Sequence, residues 1–156
     1  MLETSGIIKL LEPYHTNLTT RMIKTPKLYF LDTGLAAFLT GWDSPLSLEA
    51  GAMNGAMLES FVFGEILRSY WHNGRYPNLY FYRDADQKEV DFVFEQNMTL
   101  YPVEVKKSAA PSLAYVKSFD ALKRLNKDIG HGTVICLREG HIPLSRDVTA
   151  VNMGYL

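Results

Sequence analysis

Hydrophobic positions along this chain change period several times, and each change marks an element. Residues 6–14 (GIIKLLEPY) and 27–31 (KLYFL) are short runs rich in Ile, Leu, Tyr and Phe. They predict two strands joined by the polar loop HTNLTTR. Asp32 then stands where an N-cap belongs, ahead of the short helix TGLAAFLT, and Gly41 stands where that helix closes. Residues 42–51 (WDSPLSLEAG) carry a proline among polar residues and read as a connector, either a boundary or a mobile loop. Residues 53–72 predict a long helix. Its apolar positions surround most of the axis, so it is expected to be largely buried, and Asn73-Gly74 stops it.

Three strand-like runs come next, at residues 79–83 (LYFYR), 90–94 (VDFVF) and 101–106 (YPVEVK). A second helix is predicted over 111–125, with Pro111 in its first turn and an apolar stripe at Leu113, Val116, Phe119, Leu122 and Leu125. Residues 133–137 (TVICL) form a further strand, and the tail HIPLSRDVTAVNMGYL holds one more short strand. From residue 53 onward the order is helix, three strands, helix, strand, the order of a layered α/β or α+β domain.

Alternation gives the middle hairpin a testable geometry. A four-residue loop at 96–99 pairs residue i with residue 195 − i, a common hairpin arrangement. Phe92 then faces Val103, Phe94 faces Tyr101 and Val90 faces Val105, which makes a continuous apolar face. The same register sets Asp91 opposite Glu104 and Glu89 opposite Lys106. Two carboxylates directly opposite repel, and partial burial adds a desolvation cost. A divalent cation such as Mg²⁺ offsets both, because hard oxygen ligands converge on it. The plain alternative is a solvated polar face, and Pro102 on that face fits an edge position. Glu59 in the long helix raises the same question. Its helical neighbours Ala56, Phe63 and Ile66 are apolar, so it needs a partner unless it snorkels to the helix edge or pairs with Arg83.

Composition narrows the classes. The chain has 156 residues, 47% hydrophobic and 21% charged, which fits one globular domain with a sizeable core. A net charge of −1 removes any bulk basic field, so phosphate binding would need a local patch. Between Glu104 and Lys127 there is such a surplus: Lys106, Lys107, Lys117, Lys123, Arg124 and Lys127 against Glu104 and Asp120, six positive and two negative. A solvated helix face is the commoner meaning of a run like this. The lone Cys136 cannot form an intrachain disulfide and reads as a small buried hydrophobe in a reducing compartment. His15, His72, His131 and His141 lack metal-ligand spacing, and no G-x-x-x-x-G-K-[ST] is present. No apolar run is long enough to span a bilayer, and the N-terminus lacks the regions of a signal peptide. A cytoplasmic protein with no membrane partner is expected.

The helix acid Glu59, the strand acid Asp91 and Glu104-Val105-Lys106 on the next strand resemble the PD-(D/E)XK nuclease superfamily. The predicted element order resembles its core as well, although Val90 stands where that superfamily often has proline. A wider resemblance covers nearly the whole chain. The runs TPKLYFLDTGLAAFLTG, GAMLESFVFGEI, YFYRDADQKEVDFVF and YPVEVKKS are similar to the domain of unknown function 4143, which usually follows an AAA+ ATPase module and a winged helix. These resemblances imply an α/β fold with a nuclease-like core, comprising a helix, a three-stranded antiparallel meander, a helix and a strand. That core would span 51–156, preceded over 1–50 by an N-terminal segment with a β-hairpin, a remnant of a winged-helix region over 1–31, plus a short helix.

They also imply a metal-dependent nuclease. Asp91 and Glu104, with the Val105 carbonyl, would hold Mg²⁺ or Mn²⁺, and Glu59 would act through a bound water or a second ion. Lys106 would orient the attacking water or steady charge on the phosphorus oxygens. Arg83 and Lys107 are candidate phosphate contacts, with Glu59 or Asp84 as alternative partners for Arg83. The expected partners are nucleic acid, DNA above all, and an AAA+ ATPase in cis or in trans. The competing reading is a catalytically inactive nuclease-fold module that binds DNA or regulates an ATPase, and a toxin-like or defence effector is a third.

Overall fold

The computed structural model describes residues 1–15 and 25–156. The expected loop HTNLTTR lies, apart from His15, outside the described residues. Two compact units divide the chain: Met1–Leu10, Leu28–Tyr76 and Leu156 make unit one, and Leu11–Lys27 with Pro77–Tyr155 make unit two. The expected first strand pair is present, as β1 (Ile8–Leu11) and β2 (Lys27–Phe30) in a two-stranded sheet. β1 starts later than its composition predicted. Residues 1–7 fold into turns closed by Gly6 N–H to Glu3 C=O and Ile7 N–H to Leu2 C=O, with Gly6 at φ 72°.

In unit one, α1 (Thr33–Leu39) follows its expected cap, the Asp32 carboxylate accepting the Leu35 N–H at 3.0 Å. Gly41 at φ 77° takes the left-handed conformation just past the helix. The expected connector at 42–51 instead contains a second helix, α2 (Pro45–Ala50). Ser44 and Ser47 satisfy each other's backbone N–H groups reciprocally, and Pro45 sits in the first turn, where a missing N–H costs nothing. The proline that read as a breaker is a helix start. The long helix α3 (Asn54–His72) forms as expected, but its burial is narrower. Only Val62, Phe63, Gly64, Ile66 and Leu67 are fully buried, and Met53 and Trp71 at its ends are exposed. Tyr29 of β2 stacks on Phe63, ring centres 4.4 Å apart.

Unit two is built on a mixed sheet, which makes the protein α/β. Its strands are β3 (Leu79–Arg83), β4 (Glu89–Gln96), β5 (Thr99–Val105), β6 (Asp128–Ile129), β7 (Gly132–Cys136), β8 (Ile142–Ser145) and β9 (Val148–Asn152). The order across the sheet is β3-β4-β5-β7-β9-β8, with β6 also paired to β5. β3, β4 and β5 form an antiparallel meander, β5, β7 and β9 run parallel, and β8 returns antiparallel to β9. The tail thus contributes two strands where one was expected. Pro143, which spoils the strand pattern, sits on β8 at the edge of the sheet, where proline is tolerated. Residues 12–14 lie along β3 on the other side, the Tyr14 N–H donating to Phe81 C=O at 2.7 Å and the Phe81 N–H to Glu12 C=O at 3.2 Å.

Leu113–Leu125, expected as an ordinary helix, is a 3₁₀ helix. Its apolar stripe has a spacing of three throughout, the period at which 3₁₀ side chains eclipse. Phe119, Leu122 and Leu125 from that stripe pack with Tyr14, Tyr82, Val90, Val93 and Leu100 into one core cluster. A second cluster of Val134, Cys136, Val148 and Ala150 gathers Tyr115 and Val116. Asn126 in the left-handed region ends the helix. No described helix is long and apolar enough to cross a membrane.

Candidate functional site

The meander carries most of the expected site. The β4–β5 ladder keeps the predicted register, with Phe92 opposite Val103, Phe94 opposite Tyr101 and Gln96 opposite Thr99. The loop is shorter than expected. Gln96 and Thr99 pair, leaving Asn97-Met98 as a two-residue turn with φ of 51° and 65°.

The register with β3 is different. Tyr80 pairs with Val93 and Tyr82 with Val90, so Phe81 alone is opposed by both Asp91 and Phe92. This is a one-residue β-bulge at Asp91-Phe92, a device that re-aims side chains. Its consequence is visible in the core: Val90 and Val93, which unbroken alternation would send to opposite faces, lie in the same cluster. The expected apolar face of Val90, Phe92 and Phe94 is therefore broken at the bulge.

The β4–β5 ladder reaches Phe92–Val103, and beyond it the Asp91 carboxylate takes over. Its Oδ2 accepts the Val105 N–H at 2.8 Å. Asp91 is only 9% exposed, so this charge-assisted bond stands in for lost solvation. Glu104 follows the alternation of Leu100 along β5 and pairs with Val134 of β7. It is 5% exposed, and Lys106 Nζ lies 2.6 Å from its Oε1. Lys106 N–H continues the pairing by donating to Ile135 C=O at 2.9 Å. Lys107, next in the chain, is exposed.

Glu89 does not answer Lys106, as an unbroken hairpin would have it. It pairs across the sheet with Arg83, whose Nε donates to Oε2, while Lys27 Nζ contacts Oε1. Both cations lie near the Phe81 ring, Lys27 Nζ at 5.4 Å and the Arg83 guanidinium carbon at 5.6 Å from its centre. Burial by itself would raise the Glu89 pKa, but the hydrogen bonds from Arg83 and Lys27 outweigh it and hold the carboxyl below the ordinary value. A carboxylate oxygen of Glu89 is within 4.8 Å of one of Asp91. Of the partners considered for Arg83, Asp84 is taken by Arg124 at 3.1 Å.

Glu59 belongs to unit one, in the N-terminal third of α3, where the buried Tyr29 hydroxyl donates to its Oε1. Tyr29 touches Glu59 and Phe63 together, so the apolar stripe around this acid has its polar counterpart on β2. Sequence reasoning missed Tyr29, Lys27 and Glu89. A signal for Glu89 existed: valines three apart at 90 and 93, in an otherwise alternating strand, mark a bulge. The expected basic face along residues 104–127 is largely neutralised by pairs. Lys123 meets Asp120, Arg124 meets Asp84 and Asp86, and Lys127 meets Glu95.

Comparison with known proteins places these features in a lineage. Residues 1–46 match a family described as a domain of unknown function (DUF8612). Two uncharacterized proteins, from Mycobacterium bovis and Mycobacterium tuberculosis, are each 30% identical over 145 residues, 93% of this chain. The chain spans 31% of the length of these relatives. No solved structure matches. Residues 54–156, which include α3, the meander and every strand after it, match the domain of unknown function DUF4143, and the chain belongs to that family.

Proposed function

We propose that this chain is a metal-dependent nuclease domain of the PD-(D/E)XK type that hydrolyses phosphodiester bonds of nucleic acid, DNA above all. One observation carries the reading: the Asp91 carboxylate, turned by the bulge, is bonded to the N–H of Val105 inside the Glu-Val-Lys segment. Support also comes from the element order, with a helix, an antiparallel meander, a 3₁₀ helix and a strand parallel to β5. Asp91 and Glu104 are buried carboxylates, and hard oxygen donors in that setting suit Mg²⁺ or Mn²⁺. They would hold the ion with the Val105 carbonyl. Bound there, the ion supplies Lewis acidity toward a phosphoryl oxygen and a water of lowered pKa.

Lys106 serves two states in this scheme. Without substrate it neutralises Glu104. With substrate its ammonium, a compact point charge on a flexible stem, turns to the phosphorus oxygens as water attacks and the leaving oxygen departs. Lys107, exposed beside it, would meet the backbone. The domain would work as the C-terminal part of an AAA+ ATPase or as its partner. The relatives, most of whose length lies outside the matched segment, leave room for such a module.

One observation favours a second reading, an inactive nuclease-fold module that binds DNA or regulates an ATPase. Protein cations already accompany the acids, Lys106 on Glu104 and both Lys27 and Arg83 on Glu89. Calorimetry with Mn²⁺ and plasmid nicking separate the two. The nuclease reading expects Mn²⁺ binding that vanishes in Asp91→Ala and Glu104→Ala, with nicking reduced at least about a hundredfold, about 2.7 kcal/mol of barrier. Wild-type protein that binds no Mn²⁺ and cuts no substrate would leave only the module.

A further inference from the structure

Arg83 ends β3 and Glu89 begins β4, and the two pair across the sheet. The contact uses the inner nitrogen of the guanidinium, Nε, on one carboxylate oxygen, and Lys27 occupies the other. Among the described residues the two terminal nitrogens of Arg83 have no protein acceptor. Four N–H groups are therefore presented side by side in one plane, the fork that matches two oxygens of a phosphate. The side chain is no loose surface arginine. It is 30% exposed, and Lys27 is 16% exposed. Glu89 fixes both cations, and the Phe81 ring lies within cation–π distance of each. Donors held in a fixed plane and answered only by water are available to an anionic ligand.

The geometry points to a phosphate clamp: Arg83, with Lys27 beside it and Glu89 holding both in place, takes a backbone phosphate of nucleic acid other than the one hydrolysed. Glu89 borders Asp91, so the clamp adjoins the hydrolytic carboxylates and would fix the register of the strand presented to them. Lys27 and Glu89 are positioning residues in this scheme, and Arg83 makes the contact. That the phosphate belongs to nucleic acid rests on the function proposed above; the clamp itself requires neither metal nor cleavage.

The test is binding of the full chain to a short fluorescent DNA duplex in EDTA, followed by anisotropy across a salt series. Inorganic phosphate is titrated separately and read by thermal shift. Arg83→Gln is expected to weaken duplex binding about tenfold or more and to lower the slope of log affinity against log salt by about one. Arg83→Lys keeps the charge but loses the fork, and falls between the two. Should Arg83→Gln melt far below wild type, the Arg83→Lys comparison decides. Equal affinity and slope in wild type and the arginine variants overturns the clamp, as does wild-type protein that binds no duplex. Loss of the phosphate shift with duplex binding unchanged assigns the fork to free phosphate and overturns the nucleic-acid contact. A protein that binds duplex through Arg83 but never cuts with Mg²⁺ or Mn²⁺ sinks the hydrolytic reading and leaves the clamp standing.

Discussion

A glutamate with a cation on each oxygen is held differently from one in water. Burial disfavours the charge of Glu89, while Arg83 and Lys27 favour it, and the cations win. The folded-state pKa therefore lies below the unfolded one, near 4.5. The stabilisation is present above that value and is lost as pH falls through the lower folded value. Glu89→Gln is expected to lower the melting temperature at neutral pH, by roughly 1–3 kcal/mol of stability for the lost charge-assisted bonds. It should also flatten the acid limb of the melting curve below pH 4.5. Thermal melts from pH 3 to 7 check this; a parallel shift at every pH would mean that Glu89 titrates like a solvated acid. At this scale the sequence exposed Asp91, Glu104 and Lys106, because each is a charge in an apolar strand. It concealed Lys27 and Glu89, whose pairing joins residues far apart in the chain and depends on a bulge.

Three elements show where periodicity succeeds and where it stops. The apolar positions of Leu113–Leu125 repeat every three residues, which was legible as a helix and, read strictly, as a 3₁₀ helix. Leu122 is the fully buried member of that stripe, so Leu122→Ala should cost about 2–5 kcal/mol in urea unfolding. The α2 helix was hidden because Ser44-Pro45 signals both a turn and a helix start, and only the Ser44–Ser47 reciprocal cap decides between them. The β4–β5 turn was legible in register but not in length, since shortening a loop symmetrically leaves the pairing sum unchanged. Asn97 and Met98 both hold positive φ, which asparagine accepts and methionine resists. Met98 is exposed, so no packing compensates. Met98→Gly should therefore stabilise the protein by up to about 1 kcal/mol, and a lower midpoint in denaturant would contradict the turn.

Across the whole molecule, the family segment and the compact units have different borders. The match to DUF4143 begins at residue 54, whereas unit two draws on Leu11–Lys27 as well as Pro77–Tyr155. No pattern in the sequence ties residues 12–14 to β3, because the pairing is long-range and its middle residue is a proline. Yet Glu12 and Tyr14 hydrogen-bond to both sides of the Phe81 backbone, and Pro13 bridges to Phe81. Tyr14 lies in the main core cluster, its ring packed edge-on against Tyr80 at 5.3 Å and its hydroxyl donating to Glu95 at 2.9 Å. A protein trimmed to residues 54–156 keeps every residue of the family match but loses that aromatic anchor, the pairing along β3 and Lys27. Deleting a buried aromatic costs about 3–5 kcal/mol, a large share of a total near 5–15 kcal/mol. It also bares a strand edge that invites association. The trimmed protein should melt well below the full chain, bind a hydrophobic dye and self-associate in sedimentation. A monomeric fragment melting within a few degrees of the full chain would show that the sheet closes without its upstream residues.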